Sequence, residues 1–311
     1  MIEVSNLVKF YGDKRAVSGV SFTVNQGEIL GFLGPNGAGK STTLNIITGF
    51  LSATSGKVTI NGYDILEEPE KAKKNIGYLP ELPPLFLDMT VAEYLQYVSE
   101  LKKVPKSIRK SQISDVMKMV HIGNVSGRLI HNLSKGYRQR VGIAQALIGN
   151  PEVIVLDEPT VGLDPNQVIE MRKLICSLAK KHTIIFSSHI LSEVQAICDR
   201  IIIINNGRIV ADAPTMELSA QVEGNSHYNI TVSGSFNSIQ MPLRAIPGVK
   251  SVSLLQEKGD LIQIDVMATG ELDVRKSIFY ALAKANCPIL EFRSMAPSLE
   301  DVFTSITSPK K

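Results

Sequence analysis

Gly34-Pro35-Asn36-Gly37-Ala38-Gly39-Lys40-Ser41 has the spacing G-x-x-x-x-G-K-[ST]. Glycines so placed let the backbone wrap closely and turn its amide N–H groups towards phosphate oxygens. A lysine after the last glycine reaches the outer phosphates of a nucleotide, and the Ser41 hydroxyl can ligate Mg²⁺. A second chemical site follows the apolar run of residues 153–156, which leads into Asp157-Glu158. A carboxylate at the end of a buried strand can hold Mg²⁺ through water, the role expected of Asp157. Glu158 faces differently and is expected to orient or deprotonate an attacking water. Paired acids can also simply end a strand in solvent, but a phosphate loop in the same chain favours the chemical reading. A third site is Leu133-Ser134-Lys135-Gly136-Tyr137-Arg138-Gln139-Arg140, ahead of a helical stretch at 141–147. Ser134 suits an N-cap and Gly136 permits close approach of a ligand, so the segment reads as a second anion site at a helix start. Taken alone, it would equally suit an ordinary capped helix.

Such residues need strands that end beside helix starts. Residues 29–33 form a short apolar run entering the glycine loop, and 42–50 read as the helix after it. The continuous apolar run 153–156 predicts a strand covered on both faces. Asp164-Pro165 predicts a helix start, with Val168, Ile169, Leu174, Ile175 and Leu178 at helical spacing behind it. A strand at 183–186, a helix at 191–198 and a strand at 200–204 follow. Asn206-Gly207 then turns the chain into 208–210. Alternating strands and helices imply an α/β fold around a mostly parallel sheet. Residues 83–150 show helical patterns without a strand and read as a helical insertion. From about 216 the pattern changes. Strands at 227–232, 249–255, 261–267 and 288–292, with helices at 236–246 and 274–285, give the order βαββαβ, an α+β ferredoxin-like pattern. A last short helix is expected at 299–304.

The 311 residues suggest two domains, 1–215 and 216–311. Hydrophobic residues at 44% and charged residues at 20% fit a globular core and exclude disorder over most of the length. No apolar run approaches the ~18–20 residues that span a bilayer. The opening Met1-Ile2-Glu3-Val4 carries no secretory signal pattern. A net charge of +3 is too weak to argue for nucleic acid. Cys176, Cys198 and Cys287 form neither a disulfide framework nor a zinc pattern, which suits a reducing cytoplasm.

The phosphate loop, the segment Leu133 to Arg140, Asp157-Glu158-Pro159-Thr160, Gly162-Leu163-Asp164 and Ser187-Ser188-His189 stand in one order along residues 1–213. In that order the chain resembles the nucleotide-binding subunit of ATP-binding cassette (ABC) transporters. Its wording is similar to the gliding-motility and sodium or multidrug-export (ABC-2) cassettes. Lys135 and Tyr137, the run Gly77-Tyr78-Leu79-Pro80-Glu81, and the tail Ser298-Leu299-Glu300-Asp301-Val302-Phe303 carry that finer likeness. The resemblance implies a P-loop NTPase of the ABC ATPase type, with an N-terminal antiparallel β part and the helical insertion at about 83–150. It also implies ATP and Mg²⁺ as ligands. Gly34, Pro35, Asn36, Gly37, Ala38, Gly39, Lys40, Ser41 and Thr42 would hold the phosphates. Tyr11 would stack on adenine, although an aromatic there can equally pack against protein. Ser41, Glu81 and Asp157 would hold Mg²⁺. Glu81 stands where most of the family has glutamine, and a carboxylate accepts hydrogen bonds but adds charge. Glu158, His189 and Lys40 would be catalytic, with His189 at the γ-phosphate. Ser134 and Gly136 would close ATP from across a head-to-tail dimer, and Asp164 would lie in the bridging loop.

The same resemblance implies separate transmembrane permease subunits, a homodimer or paired ABC ATPase, and a cytoplasmic place at the inner face of the membrane. Leu85, Phe86, Leu87 and Met89 beside two prolines would receive a short permease helix, or fill the insertion's own core. The rival function is a soluble ABC ATPase acting on nucleic acid or ribosomes. No nucleic acid is expected, because the charge is low and no sustained heptads separate Ser41 from Ser134.

Overall fold

A computed structural model describes residues 1–215, 217, 225–269 and 273–295. The helix expected at 299–304 and the tail motif at 298–303 lie outside the described residues. The chain divides into two compact units, Met1–Thr215 and Met216–Lys311.

The first unit begins with β1 (Ile2–Tyr11) and β2 (Lys14–Val24), an antiparallel pair. β3 (Ile29–Leu33) leads into α1 (Lys40–Ile47). Then come β4 (Ser55–Ile60), β5 (Tyr63–Asp64), α2 (Pro69–Lys74) and β6 (Ile76–Leu79). The insertion supplies α3 (Val91–Leu101), α4 (Lys106–Met119) and α5 (Lys135–Leu147). β7 (Val153–Asp157), α6 (Pro165–Ala179), β8 (Thr183–Ser188), α7 (Leu191–Gln195), β9 (Arg200–Asn205) and β10 (Arg208–Pro214) complete the unit.

Two sheets result. The small antiparallel one has the order β2-β1-β4-β5, and the large one runs β10-β9-β3-β8-β7-β6. Every pairing from β9 to β6 in the large sheet is parallel. β3, β7 and β8 are buried at every residue, as strands covered on both faces must be. Phe22 and Phe32, with ring centroids 5.7 Å apart, join Leu44, Val155, Ile185 and Ile202 in one core that links the two sheets. Each large side chain fully withdrawn from water there contributes ~1.5–3 kcal/mol.

In the insertion, Thr90 caps α3 by accepting from the Glu93 N–H, and Glu93 answers by accepting from the Thr90 N–H at 2.8 Å. Lys102 Nζ donates to the carbonyls of Gln145, Ala146 and Ile148, at 2.9, 3.1 and 2.7 Å. It thereby satisfies carbonyls that the end of α5 leaves without helical partners.

The second unit runs β11 (Asn225–Ser233), α8 (Phe236–Arg244), β12 (Val249–Lys258), β13 (Leu261–Thr269), α9 (Arg275–Lys284) and β14 (Ile289–Met295). Its sheet has the order β12-β13-β11-β14, antiparallel throughout. Ile230, Ile264, Ile239, Ile278 and Leu282 form its core.

Three local expectations shift. The helix expected at 42–50 begins at Lys40 and ends at Ile47, because the glycine loop feeds Lys40 straight into the first turn and Gly49, at φ +68°, follows its end. The helix expected at 191–198 stops at Gln195. Ile169, placed on the apolar stripe of its helix, is exposed, and Met171 takes the inward position.

Candidate nucleotide site

The parallel register aligns the carboxyl ends of β3, β7 and β8. Leu33 lies opposite Ser188, and Asp157 opposite Ser187. Open α/β sheets bind ligands at this edge. Here it brings together three segments far apart in sequence: the glycine loop after β3, the acidic turn after β7 and the histidine after β8.

Gly39 precedes α1 with φ +107°, and a Cβ there would meet the Ala16 carbonyl at 2.7 Å. Only glycine fits that position without strain. Lys40, 6% exposed, donates from Nζ to the Gly34 carbonyl at 2.8 Å and lies 3.3 Å from Glu158 Oε1. Glu158 Oε2 lies 2.9 Å from His189 Nδ1. Glu158 thus bridges the loop lysine and the histidine. Its backbone, at φ +49°, leaves the strand direction, which separates its side chain from that of Asp157.

Asp157 is buried. It accepts from Ser187 Oγ at 2.5 Å and interacts with the Ser41 hydroxyl. Burial pushes its carboxyl above the usual range. The two serines oppose that shift, the Glu158 charge adds to it, and Lys40 opposes it.

A cavity of 640 Å³ opens over this edge. Pro35, Asn36, Gly37, Gly39, Lys40, Ser41, Thr42, Tyr11, Glu81, Glu158 and His189 all line it. Tyr11, 50% exposed, presents its ring there with Lys9 Nζ 5.5 Å from the centroid. Gly34 contributes its carbonyl to Lys40, and Ala38 is buried behind the loop.

Ser134, Gly136 and Asp164 do not line this cavity. Ser134 caps α5, accepting from the Tyr137 N–H at 3.4 Å, and lines a different cavity with Tyr137, Arg140 and Gln167. Gly136 lies under Gln167: a Cβ on it would meet Gln167 Oε1 at 2.7 Å. Asp164 caps α6 through the Gln167 N–H at 3.0 Å. Among the described residues, no three His, Cys, Asp or Glu side chains gather at metal-holding distance, so Glu81 does not join Asp157 and Glu158 in a tight acidic cluster.

Sequence reasoning missed three residues here. Ser187, quoted only as part of a motif, holds Asp157. Thr160 and Glu193 join each other behind the acidic turn at 2.6 Å. A glutamate on a five-residue helix gives no periodic signal, so nothing in the sequence alone marks Glu193.

A family model described as ABC transporter matches residues 17–161. Linearmycin resistance ATP-binding protein LnrL of Bacillus subtilis strain 168 is 32% identical over 310 residues, covering 99% of this chain and 98% of that protein. Bacitracin transport ATP-binding protein BcrA of Bacillus licheniformis is 38% identical over 216 residues, 69% of this chain and 70% of that one. The chain belongs to the ABC transporter family. Among solved structures of the family, cbiO1 from Clostridium perfringens, part of a cbiONQ transporter complex, superposes with TM-score 0.65 at 30% identity over 71% of this chain and 90% of its own. The ATP-binding cassette MJ0796, in a dimeric post-hydrolysis state with ADP and Pi, gives TM-score 0.63 at 26% identity over 69% of this chain and 99% of its own.

As the ATP-binding subunit of an ABC transporter, the protein binds and hydrolyses ATP to power transport. No helix among the described residues is long and apolar enough to cross a membrane.

Proposed function

We propose that ATP sits in the 640 Å³ cavity and is hydrolysed there with Glu158 acting on the attacking water. The observation that carries this reading is the convergence of Lys40, Ser41, Glu158 and His189 on one opening at the sheet edge. Tyr11 stacks on the base, and Gly34 to Thr42 hold the phosphates. Lys40 exchanges Glu158 for phosphate oxygens. Glu158, so released, takes the proton of the attacking water, and His189 holds the γ-phosphate end.

The donor set fits Mg²⁺. Ser41 and the buried Asp157 offer hard oxygen ligands, and few protein ligands suit an ion that keeps several waters. When bound, Mg²⁺ would neutralise charge on the phosphate oxygens. Glu81, at the cavity wall, would be a further oxygen ligand for it.

Ser134 lines a separate opening and Gly136 lies beside it under Gln167, which favours a composite site: one copy's Lys40 is closed by the Leu133 to Arg140 segment of another, head to tail, with Asp164 at the junction. The dimeric state of the MJ0796 cassette supports this arrangement. The permease, a separate subunit, docks on the insertion at Leu82, Phe86 and Leu87, all exposed, where Phe86 stacks against Tyr94 and Tyr97. That contact holds the chain at the inner face of the membrane. The drug-resistance and transport names of LnrL and BcrA favour export.

The test is Glu158→Gln with ATP. Removing a general base lowers hydrolysis ~10²–10⁴-fold. The variant should elute as an ATP-dependent dimer that ADP does not form. Hydrolysis at the parent rate would remove Glu158 as the base.

A further inference from the structure

Glu193 is a carboxylate buried behind the site, 4% exposed. Its Oε2 accepts two hydroxyl hydrogen bonds, from Thr160 Oγ1 at 2.6 Å and from Ser188 Oγ at 3.0 Å. The first donor stands two residues after Glu158 and the second immediately before His189. Ser188 is fixed from its other side as well, because its Oγ accepts from the Ile190 N–H at 3.0 Å. Among the described residues Glu193 forms no ion pair, and its partners are these hydroxyls rather than a cation.

The two serines ending β8 divide the work by the alternation of a strand. Ser187 points to the acidic turn, donating to Asp157 and accepting from the Glu158 N–H at 3.0 Å. Ser188 points the opposite way and donates to Glu193. Glu158 and His189, which meet at 2.9 Å in the cavity, therefore sit on two turns tied together at the back by one acid. We infer that Glu193 is a positioning residue for hydrolysis: by holding Thr160 and Ser188 on a single carboxylate oxygen, it sets the separation of Glu158 and His189.

A hydroxyl hydrogen bond to a carboxylate is short, directional and strong, so the clamp resists drift of either turn. Nucleotide binding rests on other parts, the glycine loop and Tyr11, which Glu193 does not touch. The clamp should thus act on the chemical step and leave ground-state binding alone. Misplacing a reacting group by an ångström can cost ~10²-fold in rate.

This inference rests on the proposed roles of Glu158 and His189, and the experiment separates the two. In the full-length protein, kcat and KM for ATP, together with ADP affinity, are measured for Glu193→Gln, Glu193→Leu, His189→Ala and the Glu193→Leu/His189→Ala double variant. Gln keeps an oxygen that accepts both hydroxyls and should hold kcat within about threefold. Leu should lower kcat ~30-fold with KM and ADP affinity within about twofold. With His189 already removed, the same Leu change should cost less than about threefold, because coupled residues are non-additive. Thr160→Val breaks the clamp from its other end without emptying the acid's site, and it should lower kcat with ADP affinity kept. That variant decides the question if Glu193→Leu fails to fold. Equal losses in both backgrounds, a change confined to KM, or no rescue by Gln would overturn the inference. If His189→Ala itself leaves kcat unchanged, it is the underlying site reading that falls.

Discussion

Replacing Glu158 by Gln should tighten ADP binding even though it slows hydrolysis ~10²–10⁴-fold. In the structure Lys40 Nζ lies 3.3 Å from Glu158 Oε1, and both side chains are buried. At an effective dielectric of about 20 the attraction between unit charges at that distance is about 5 kcal/mol. A nucleotide that takes Lys40 must break this pair, and its phosphates then face the carboxylate left behind. Gln keeps the size and the hydrogen-bonding oxygen but removes the charge from both effects. Most of the attraction is regained when Lys40 meets phosphate, so a surplus of about 1.4 kcal/mol, or tenfold in Kd, is a fair expectation. ADP is the right probe because it isolates binding from hydrolysis. Titration calorimetry of the parent and Glu158→Gln proteins, with and without Mg²⁺, reads the effect directly. Because the pair is buried, the gain should change little between low and physiological salt. An unchanged or weaker Kd in the variant would refute the idea that Glu158 competes with phosphate for Lys40.

Asp157→Asn should raise the thermal midpoint of the nucleotide-free protein while abolishing Mg²⁺-dependent hydrolysis. The Asp157 carboxyl is held above its ordinary pKa chiefly by burial, so its ionised form is disfavoured in the fold and a neutral isostere relieves it. A rise of roughly 2–4 °C corresponds to about 1 kcal/mol in a unit of this size, and a fall in scanning calorimetry at neutral pH would contradict it. Tyr11→Ala should weaken ADP binding about tenfold, the cost of one lost stacking platform, and Tyr11→Phe should restore it. Inorganic tripolyphosphate, which has no base, should bind Tyr11→Ala and the parent alike; a matching loss for both ligands would assign Tyr11 to the fold.

What the sequence revealed, it revealed through local chemistry. The glycine loop is legible because its glycines answer a backbone demand and its lysine and serine a phosphate, and the strand before Asp157 because a short, mostly β-branched apolar run suits a strand covered on both faces. The pairings inside the site were not legible. That Ser187 meets Asp157 follows from the parallel register of β7 and β8, a tertiary fact with no local signature. That Lys40 meets Glu158 needs two loops from different strands to converge. Ile169 misled for the converse reason: helical spacing identifies a stripe but not its edges, and Ile169 falls on the solvent side of the stripe that Met171, Leu174 and Leu178 bury.

The segment Leu133 to Arg140 stands apart from the phosphate loop. Ser134 and Gly136 sit at the start of a 13-residue helix, where backbone N–H groups attract anions, yet they line no part of the cavity that holds Lys40. Within one chain, Gln167 covers Gly136. In the proposed composite site, that helix start and the phosphate loop, which lie on separate openings of one chain, serve the same triphosphate when two copies face each other. In that proposal ATP would join the surfaces by its own charge. Splitting it would divide that charge between two products and so weaken the contact at the moment the chemistry is done. On this account the Lys40–Glu158 pair has a second consequence. The base stays bound to the loop lysine until a phosphate displaces it, so the charge that draws the copies together also frees the group that ends their association.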